Sequence, residues 1–258
     1  MDKQKPSLQT VDRALELIDI MAYSSDKMSV IEISKALGIT RTGAYTLLNS
    51  LMKHNFVEKD PSSGKYFIGY KFLELGACYR HQYPFVLAAE RGIYALSRKW
   101  KHQINLSIYK QPCLTVLLLI KAPEETQRNT QRVVLPAYIT AGGKLLLAHL
   151  PEDELKETLE KMELRQFAKS TITDKRKLIK ALEEIRKQGY AVEREESRNL
   201  RGCIATPIRD MSGEIIAALS MTMMLDKLDD NFEMYLEDLQ NTGREISQEV
   251  GFNPYQQL

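Results

Sequence analysis

Apolar residues recur at helical spacing along the first third of the chain and at strand spacing in parts of the rest. Residues 11–22, VDRALELIDIMA, place Val11, Ala14, Leu15, Ile18 and Ala22 on one predicted helical face. Ser29 and Glu32 stand at the S-x-x-E spacing of a capping box, in which each satisfies an orphan N–H at a helix start. Ile33, Ala36 and Leu37 form the expected inward face of that short helix, and Gly38 supplies the conformation that ends it. Thr40 caps a third helix. Ala44, Leu47, Leu48 and Leu51 then follow at i, i+3, i+4 and i+7, leaving Thr42, Gly43, Tyr45, Thr46 and Asn49 outward. Residues 56–59 and 65–68 predict two strands, with Asp-Pro-Ser-Ser-Gly as the turn between them.

Two helices joined through Gly-Ile-Thr and followed by a hairpin predict a winged helix-turn-helix. In that geometry the second helix offers its N-terminal residues to a DNA major groove. The exposed set there is Thr40, Arg41, Thr42, Tyr45 and Thr46. Arg41 suits guanine edges or phosphate, and the hydroxyls suit phosphates. Lys59, Ser62, Ser63 and Lys65 sit on the expected wing, close to the DNA backbone.

Beyond residue 70 the pattern changes. Residues 71–102 carry few helix breakers and predict a linker helix and then a helix opening a second domain. INLSIY alternates, whereas CLTVLLLIKA is a continuous apolar run; both predict strands, the second more buried. A polar loop, EETQRNTQRVV, leads to a short strand, and GGKLLLAHL starts a helix. Two mixed-charge helices are expected at 151–162 and 174–189. YAVER, RGCIATPIRD and GEIIAALSMTMM predict strands, the last two flanking an Asp-Met-Ser-Gly turn. Residues 228–250 are amphipathic through Phe232, Leu236, Leu239 and Ile246. An antiparallel sheet with flanking helices is an α+β arrangement. The expected division is 1–69 for the winged helix, 70–83 for the linker helix and 84–258 for the second domain.

Composition narrows the function. A net charge of +2, with 11 Lys/Arg against 9 Asp/Glu in residues 1–80, makes any DNA-binding face a matter of placement, not bulk charge. Three widely spaced cysteines fit a reducing cytoplasm, MDKQKPSLQT lacks the apolar core of a signal peptide, and LTVLLLI is too short to span a membrane. His54, His81, His102 and His149 are scattered. No metal-ligand spacing, phosphate loop or nucleophile elbow occurs, so the reading is a non-enzyme with no cofactor and no metal.

The segments LQTVDRALELIDIMA, MSVIEISKALGITRTGAYTLLNSLMKHNFVEKDPSSGKYFIGYKFLELG, VVLPAYITAGGKLLLAHLPEDEL and GYAVEREESRNLRGCIATPIRDMSGEIIAALSMT resemble, in order, those of the IclR family of bacterial transcriptional regulators. The chain departs from the family at Gly43, Thr46 and Phe67, where Thr, Arg and Arg are common. The resemblance implies a GAF-like α/β effector-binding domain after the winged helix. It places a small-molecule pocket at Ala141, Gly142, Glu193, Cys203, Ser220 and Thr222. Ser220 and Thr222 lie two apart on one strand, so their hydroxyls share a face. Glu193, near Glu195 and Glu196, is either a ligand acceptor or solvated, and Cys203 either a pocket wall or a small core residue. The implied partners are double-stranded operator DNA and a small effector such as an organic or aromatic acid. A homodimer or dimer of dimers is also implied, with no membrane. A regulator whose second domain only oligomerises or binds protein is the alternative, and an enzyme fused to a winged helix is a third reading.

Overall fold

The computed structural model describes residues 8–24, 26–121 and 134–253. The chain forms two compact units, Met1–Gln82 and Tyr83–Leu258. Most of the polar loop expected before the short strand lies outside the described residues.

The first unit contains α1 (Gln9–Tyr23), α2 (Val30–Ala36), α3 (Arg41–Lys53), β1 (Val57–Lys59), β2 (Tyr66–Ile68) and α4 (Lys71–His81). Ser29 and Glu32 make the capping box in full. Gly38 turns the chain out of α2 at φ +62°, where a side chain would be strained. Ala44, Leu47, Leu48 and Leu51 of α3 are all buried, together with Val57 and Tyr66 of the wing. Two details differ from the sequence expectation. The buried stripe of α1 is Leu17 and Met21, flanked by half-buried Ala14 and Ile18, while Val11 and Leu15 are 50% and 57% exposed. In α2 it is Ser34 that is buried and Ala36 that is exposed. Ser34 tolerates burial because its hydroxyl donates to the Ile31 carbonyl at 2.9 Å.

The second unit wraps helices around one antiparallel sheet. Its elements begin with α5 (Phe85–Trp100), β3 (Gln103–Lys110), β4 (Cys113–Ile120), β5 (Val134–Pro136) and a 3-10 turn (Ala137–Ile139). There follow α6 (Ala141–Ala148), α7 (Glu152–Lys161), α8 (Lys175–Gln188), β6 (Ala191–Arg194), β7 (Arg201–Arg209), β8 (Ile215–Met224), α9 (Leu225–Asp230) and α10 (Phe232–Glu249). The six strands run β5-β4-β3-β8-β7-β6. β3 sits centrally and is more buried than β4, the reverse of the sequence expectation. β4 is flanked on one side by only the three-residue edge strand β5, whereas β3 lies between β4 and the ten-residue β8, so the apolar run is covered less fully.

Residue alternation gives the sheet two different faces. One carries Ile104, Leu106, Ile204, Ile208, Leu219 and Met221, packed with α5 and α10 into an apolar core. The other faces α6 and its neighbours, with Ala191, Cys203, Ala205 and Ala218 in the second core.

Candidate DNA-binding and effector sites

Thr40 holds the start of α3 by accepting the Gly43 N–H at 3.1 Å. Arg41, Thr42, Tyr45 and Thr46 follow as exposed residues on the first turns. The Thr46 hydroxyl donates to the Thr42 carbonyl at 3.1 Å, so its proton is already used. The wing turn is also internally bonded. Asp60 accepts from the Ser62 N–H at 3.0 Å, from the Ser62 and Ser63 hydroxyls at 2.8 Å each, and from Lys27 Nζ at 2.8 Å. These contacts, the lysine first, hold its carboxyl far below the usual carboxylate range. Ser62 and Ser63 therefore shape the wing and direct their protons inward. Lys59 stays exposed, its ammonium 5.5 Å from the Tyr66 ring centre, and Lys65 is half-buried. Arg41, Thr42, Tyr45 and Lys59 are the groups this surface presents outward. Lys27 had no signature in sequence, because its wing partner lies 33 residues away.

In the second unit, the residues expected at the pocket fall on the α6 side of the sheet. Strand register puts Glu193, Cys203 and Thr222 in one row, continued on β3 by Gln103. The next row holds Ala191, Ala205, Ser220 and Asn105. A third pairs Ser107 with Ala218. Hydrogen bonds knit these rows: Gln103 Nε2 donates to Asn105 Oδ1 at 2.8 Å, Asn105 Nδ2 to Ser220 Oγ at 3.4 Å, and Thr222 Oγ1 to Cys203 Sγ at 3.4 Å. The Ser107 hydroxyl is buried and finds no protein partner.

α6 lies over this face. Thr140 caps it by accepting the Gly143 N–H at 3.0 Å. A Cβ on Gly143 would stand 2.1 Å from the Ala137 carbonyl oxygen, so only glycine lets the 3-10 turn close against the helix. A Cβ on Gly142 would lie 3.4 Å from Ala218 Cβ, which seats the first turn on β8. Ala141 and Gly142 thereby belong to a first turn, whose N–H groups have no partner inside a helix, that is seated against Ala218 and Leu114 of the sheet.

The acidic loop closes the end of the rows. Glu193 is buried, so its solvated reading fails, and Glu195 and Glu196 beside it are buried as well. Glu193 Oε1 accepts the N–H groups of Glu196 at 2.5 Å and Ser197 at 2.9 Å. Glu195 Oε1 accepts from Leu200 N–H at 2.9 Å, and both residues hold positive φ, +57° and +62°. Lys144 of α6, also buried, pairs with Glu196 Oε1 and donates to the Val192 carbonyl at 3.2 Å. Glu196 Oε2 is buried without a protein partner. Burial pushes Glu193 up to about 7, with the Glu196 charge adding to it and the two N–H bonds opposing it. Burial, then the Glu193 carboxylate, pushes Cys203 up to about 12, so its thiol stays protonated and is no nucleophile.

Lys144, Gln103, Asn105 and Ser107 are therefore part of the arrangement although the sequence reading did not single them out. The last three were legible: they alternate with Ile104, Leu106 and Ile108 through QINLSIYK. Among the described residues no cluster of His, Cys, Asp and Glu could hold a metal ion, and no helix is long and apolar enough to cross a membrane.

Comparison with known proteins agrees with both halves. Residues 10–61 match the IclR helix-turn-helix domain, and residues 79–248 match the bacterial transcriptional regulator IclR C-terminal domain. The chain is 29% identical over 255 residues to the HTH-type transcriptional regulator XynR of Escherichia coli, covering 96% of this chain and 99% of XynR. It resembles the crystal structure of Thermotoga maritima IclR at 28% identity and a TM-score of 0.79, covering 95% of this chain and 100% of that one. An IclR homologue from Microbacterium hydrocarbonoxydans, crystallised with 4-hydroxybenzoate, shares the fold at 21% identity and a TM-score of 0.77, covering 93% and 98%. The chain belongs to the IclR family of bacterial transcriptional regulators, DNA-binding proteins with a C-terminal effector domain.

Proposed function

We propose that this regulator binds operator DNA through α3 and the wing, and that a small organic ligand held between α6 and the polar face of the sheet sets its occupancy. Thr40, Arg41, Thr42, Tyr45 and Thr46 form the groove-reading end, with Lys59 and Lys65 against the backbone. Ser62 and Ser63 act by holding the turn. Ala141, Gly142, Glu193, Cys203, Ser220 and Thr222 line the ligand site, joined by Gln103, Asn105 and Ser107. One short recognition helix reads few base pairs, so the working form is a homodimer, or a dimer of dimers, on a near-palindromic site in the cytoplasm.

The observation that carries this reading is a row of hydrogen-bonding side chains on a sheet face that is covered by a helix. Covered faces are ordinarily apolar, and buried polar groups cost free energy unless paired. A fold keeps such a row when something binds there. The first-turn N–H groups of α6 suit a carboxylate or hydroxyl, and the row suits hydroxyl groups. A ligand needs only about 1–3 kcal/mol of differential binding to change DNA occupancy 5- to 150-fold.

The test is fluorescence anisotropy with the DNA upstream of the chain's own coding region, against a scrambled duplex of equal length at near-physiological salt. Specific binding that Arg41→Ala weakens, and that a screened organic acid or polyol releases in the wild type but not in Ser220→Phe, is the expected result. Equal affinity for both duplexes overturns the operator reading. A normal ligand response in Ser220→Phe moves the ligand site elsewhere.

A further inference from the structure

A cavity of about 310 Å³ lies between the end of β7 and α10, and it shares no residue with the ligand site proposed above. β7 contributes Thr206, Pro207 and Arg209, and α10 contributes Gln240, Arg244 and Ser247. The three helix residues fall at i, i+4 and i+7, so they share a face. β6 begins opposite Ala205, which leaves the stretch of β7 from Thr206 to Arg209 without a strand on that side. The walls are tightly set. A Cβ on Gly243 would come within 2.8 Å of Thr206 Cγ2, so helix and strand are in close contact. Ser247 ties them by accepting the Arg209 N–H at 3.0 Å and donating to the Gly243 carbonyl at 2.6 Å.

The charge of this cavity is one-sided. It is lined by two arginines and no carboxylate. Among the described residues neither Arg209 nor Arg244 forms an ion pair. Asp210, adjacent in sequence, spends its carboxylate on its own turn, accepting from Ser212 and Glu214. Arg209 is half-buried and is aimed by one bond, Nη1 to the Gly213 carbonyl at 2.8 Å. Burial pushes it below the ordinary arginine value. A half-buried guanidinium without a counter-charge is unfavourable until an anion arrives. The Gln240 carboxamide adds donors from the helix.

We propose that this cavity is a second ligand site, and that it binds the phosphate group of a small phosphorylated molecule. A planar carboxylate is satisfied by one guanidinium fork. Each guanidinium spends one donor within the protein, Arg209 on the Gly213 carbonyl and Arg244 on Asn241 Oδ1, and the donors that remain, with the Gln240 carboxamide, match a tetrahedral dianion with three acceptor oxygens. The space exceeds what a bare ion needs and lies within the range of small-molecule pockets. Pro207 and Phe252 offer apolar contact to the body of the molecule. Because β7 runs from Cys203 in one site to Arg209 in the other, both ligands bear on one strand.

The test uses the full chain, titrated at constant ionic strength with inorganic phosphate, ribose 5-phosphate and ribose, with chloride as the control. Thermal melting and calorimetry are the readouts. Saturable binding of ribose 5-phosphate, tighter than inorganic phosphate and absent for ribose, is expected. Arg244→Gln alters an exposed position, so the fold is retained, and affinity falls about tenfold or more. Arg41→Ala, on the DNA-binding helix, leaves the binding unchanged. Absence of saturable binding above the chloride control overturns the proposal. So does binding that survives Arg244→Gln or disappears with Arg41→Ala, which places the anion on the DNA-binding face. Binding of inorganic phosphate with rejection of ribose 5-phosphate overturns the phosphorylated-molecule reading in favour of the free ion.

Discussion

The two faces of the six-stranded sheet are built from the same strands, residue by residue, and do opposite work. On the α5 and α10 side, Ile104, Leu106, Ile204, Ile208, Leu219 and Met221 are completely buried and apolar. On the α6 side, the intervening residues include Gln103, Asn105, Ser107, Cys203, Ser220 and Glu193. Both faces are covered, so solvent exposure does not explain the polarity of the second. The first face is shaped for packing and the second for hydrogen bonding, and the period-2 geometry of a strand keeps the two sets apart.

The comparison breaks most readily at Lys144. Lys144→Met strands the Glu196 carboxylate in the interior, and the expected loss of stability is about 3–5 kcal/mol by urea unfolding. Adding Glu196→Leu should restore most of it, since the charge then goes with its partner. A single substitution that costs under about 1 kcal/mol would mean the pair is solvated in solution.

On the apolar face, Ile204→Ala removes a fully buried side chain and should cost about 3 kcal/mol, mostly as cavity and lost transfer energy. Operator affinity of the folded fraction should be unchanged. A specific loss of ligand response from this substitution would blur the division between the faces.

Glu193 sharpens the comparison through pH. Its folded value is raised to about 7 from an ordinary value near 4.5, so the folded state binds the extra proton between those limits. Its stabilising contribution is therefore complete below about 4.5, declines as pH rises toward about 7, and is lost above. The amplitude is at most about 3 kcal/mol. Glu193→Gln should flatten that part of the stability profile measured from pH 4.5 to 8; an unaltered profile would assign the titration to another group.

The smallest effect is expected at Ser107. Its hydroxyl is buried and unpartnered, so Ser107→Ala should leave stability unchanged or raise it by up to about 1 kcal/mol. Once an effector is identified, the same substitution should weaken its binding. A loss of stability above about 1 kcal/mol would show that the hydroxyl supports the fold.

The helix-turn-helix was legible because its signals are local. Ser29, Glu32, Gly38 and Thr40 act on backbone groups within a few residues, and the buried spacing of Ala44, Leu47, Leu48 and Leu51 follows from one helix alone. α1 was misread because its period admits two neighbouring stripes, and only its packing partners select Leu17 and Met21 over Val11 and Leu15. Burial of β3 and β4 was misjudged because composition does not state a strand's place in the sheet order. Whether Glu193 is solvated or an acceptor stayed open for a similar reason. Charges in a row suggest water, and the lysine that admits Glu196 to the interior stands 52 residues earlier. Ser62 and Ser63 stand in the turn between β1 and β2, and that Asp60 takes both their hydroxyl protons depends on the folded turn.

The separation of the two sheet faces also bears on engineering. Substitutions confined to Asn105, Cys203, Ser220 and Thr222 change what the α6 side presents and leave the residues that pack against α5 and α10 untouched. A combinatorial library at those four positions should therefore contain a high proportion of folded variants. Because α3 and the wing belong to the other compact unit, the variants would share one promoter and one reporter. If the α6 side holds the ligand as proposed, the fold is suited to reprogramming as a genetically encoded sensor, with new ligand preferences selected by fluorescence in cells.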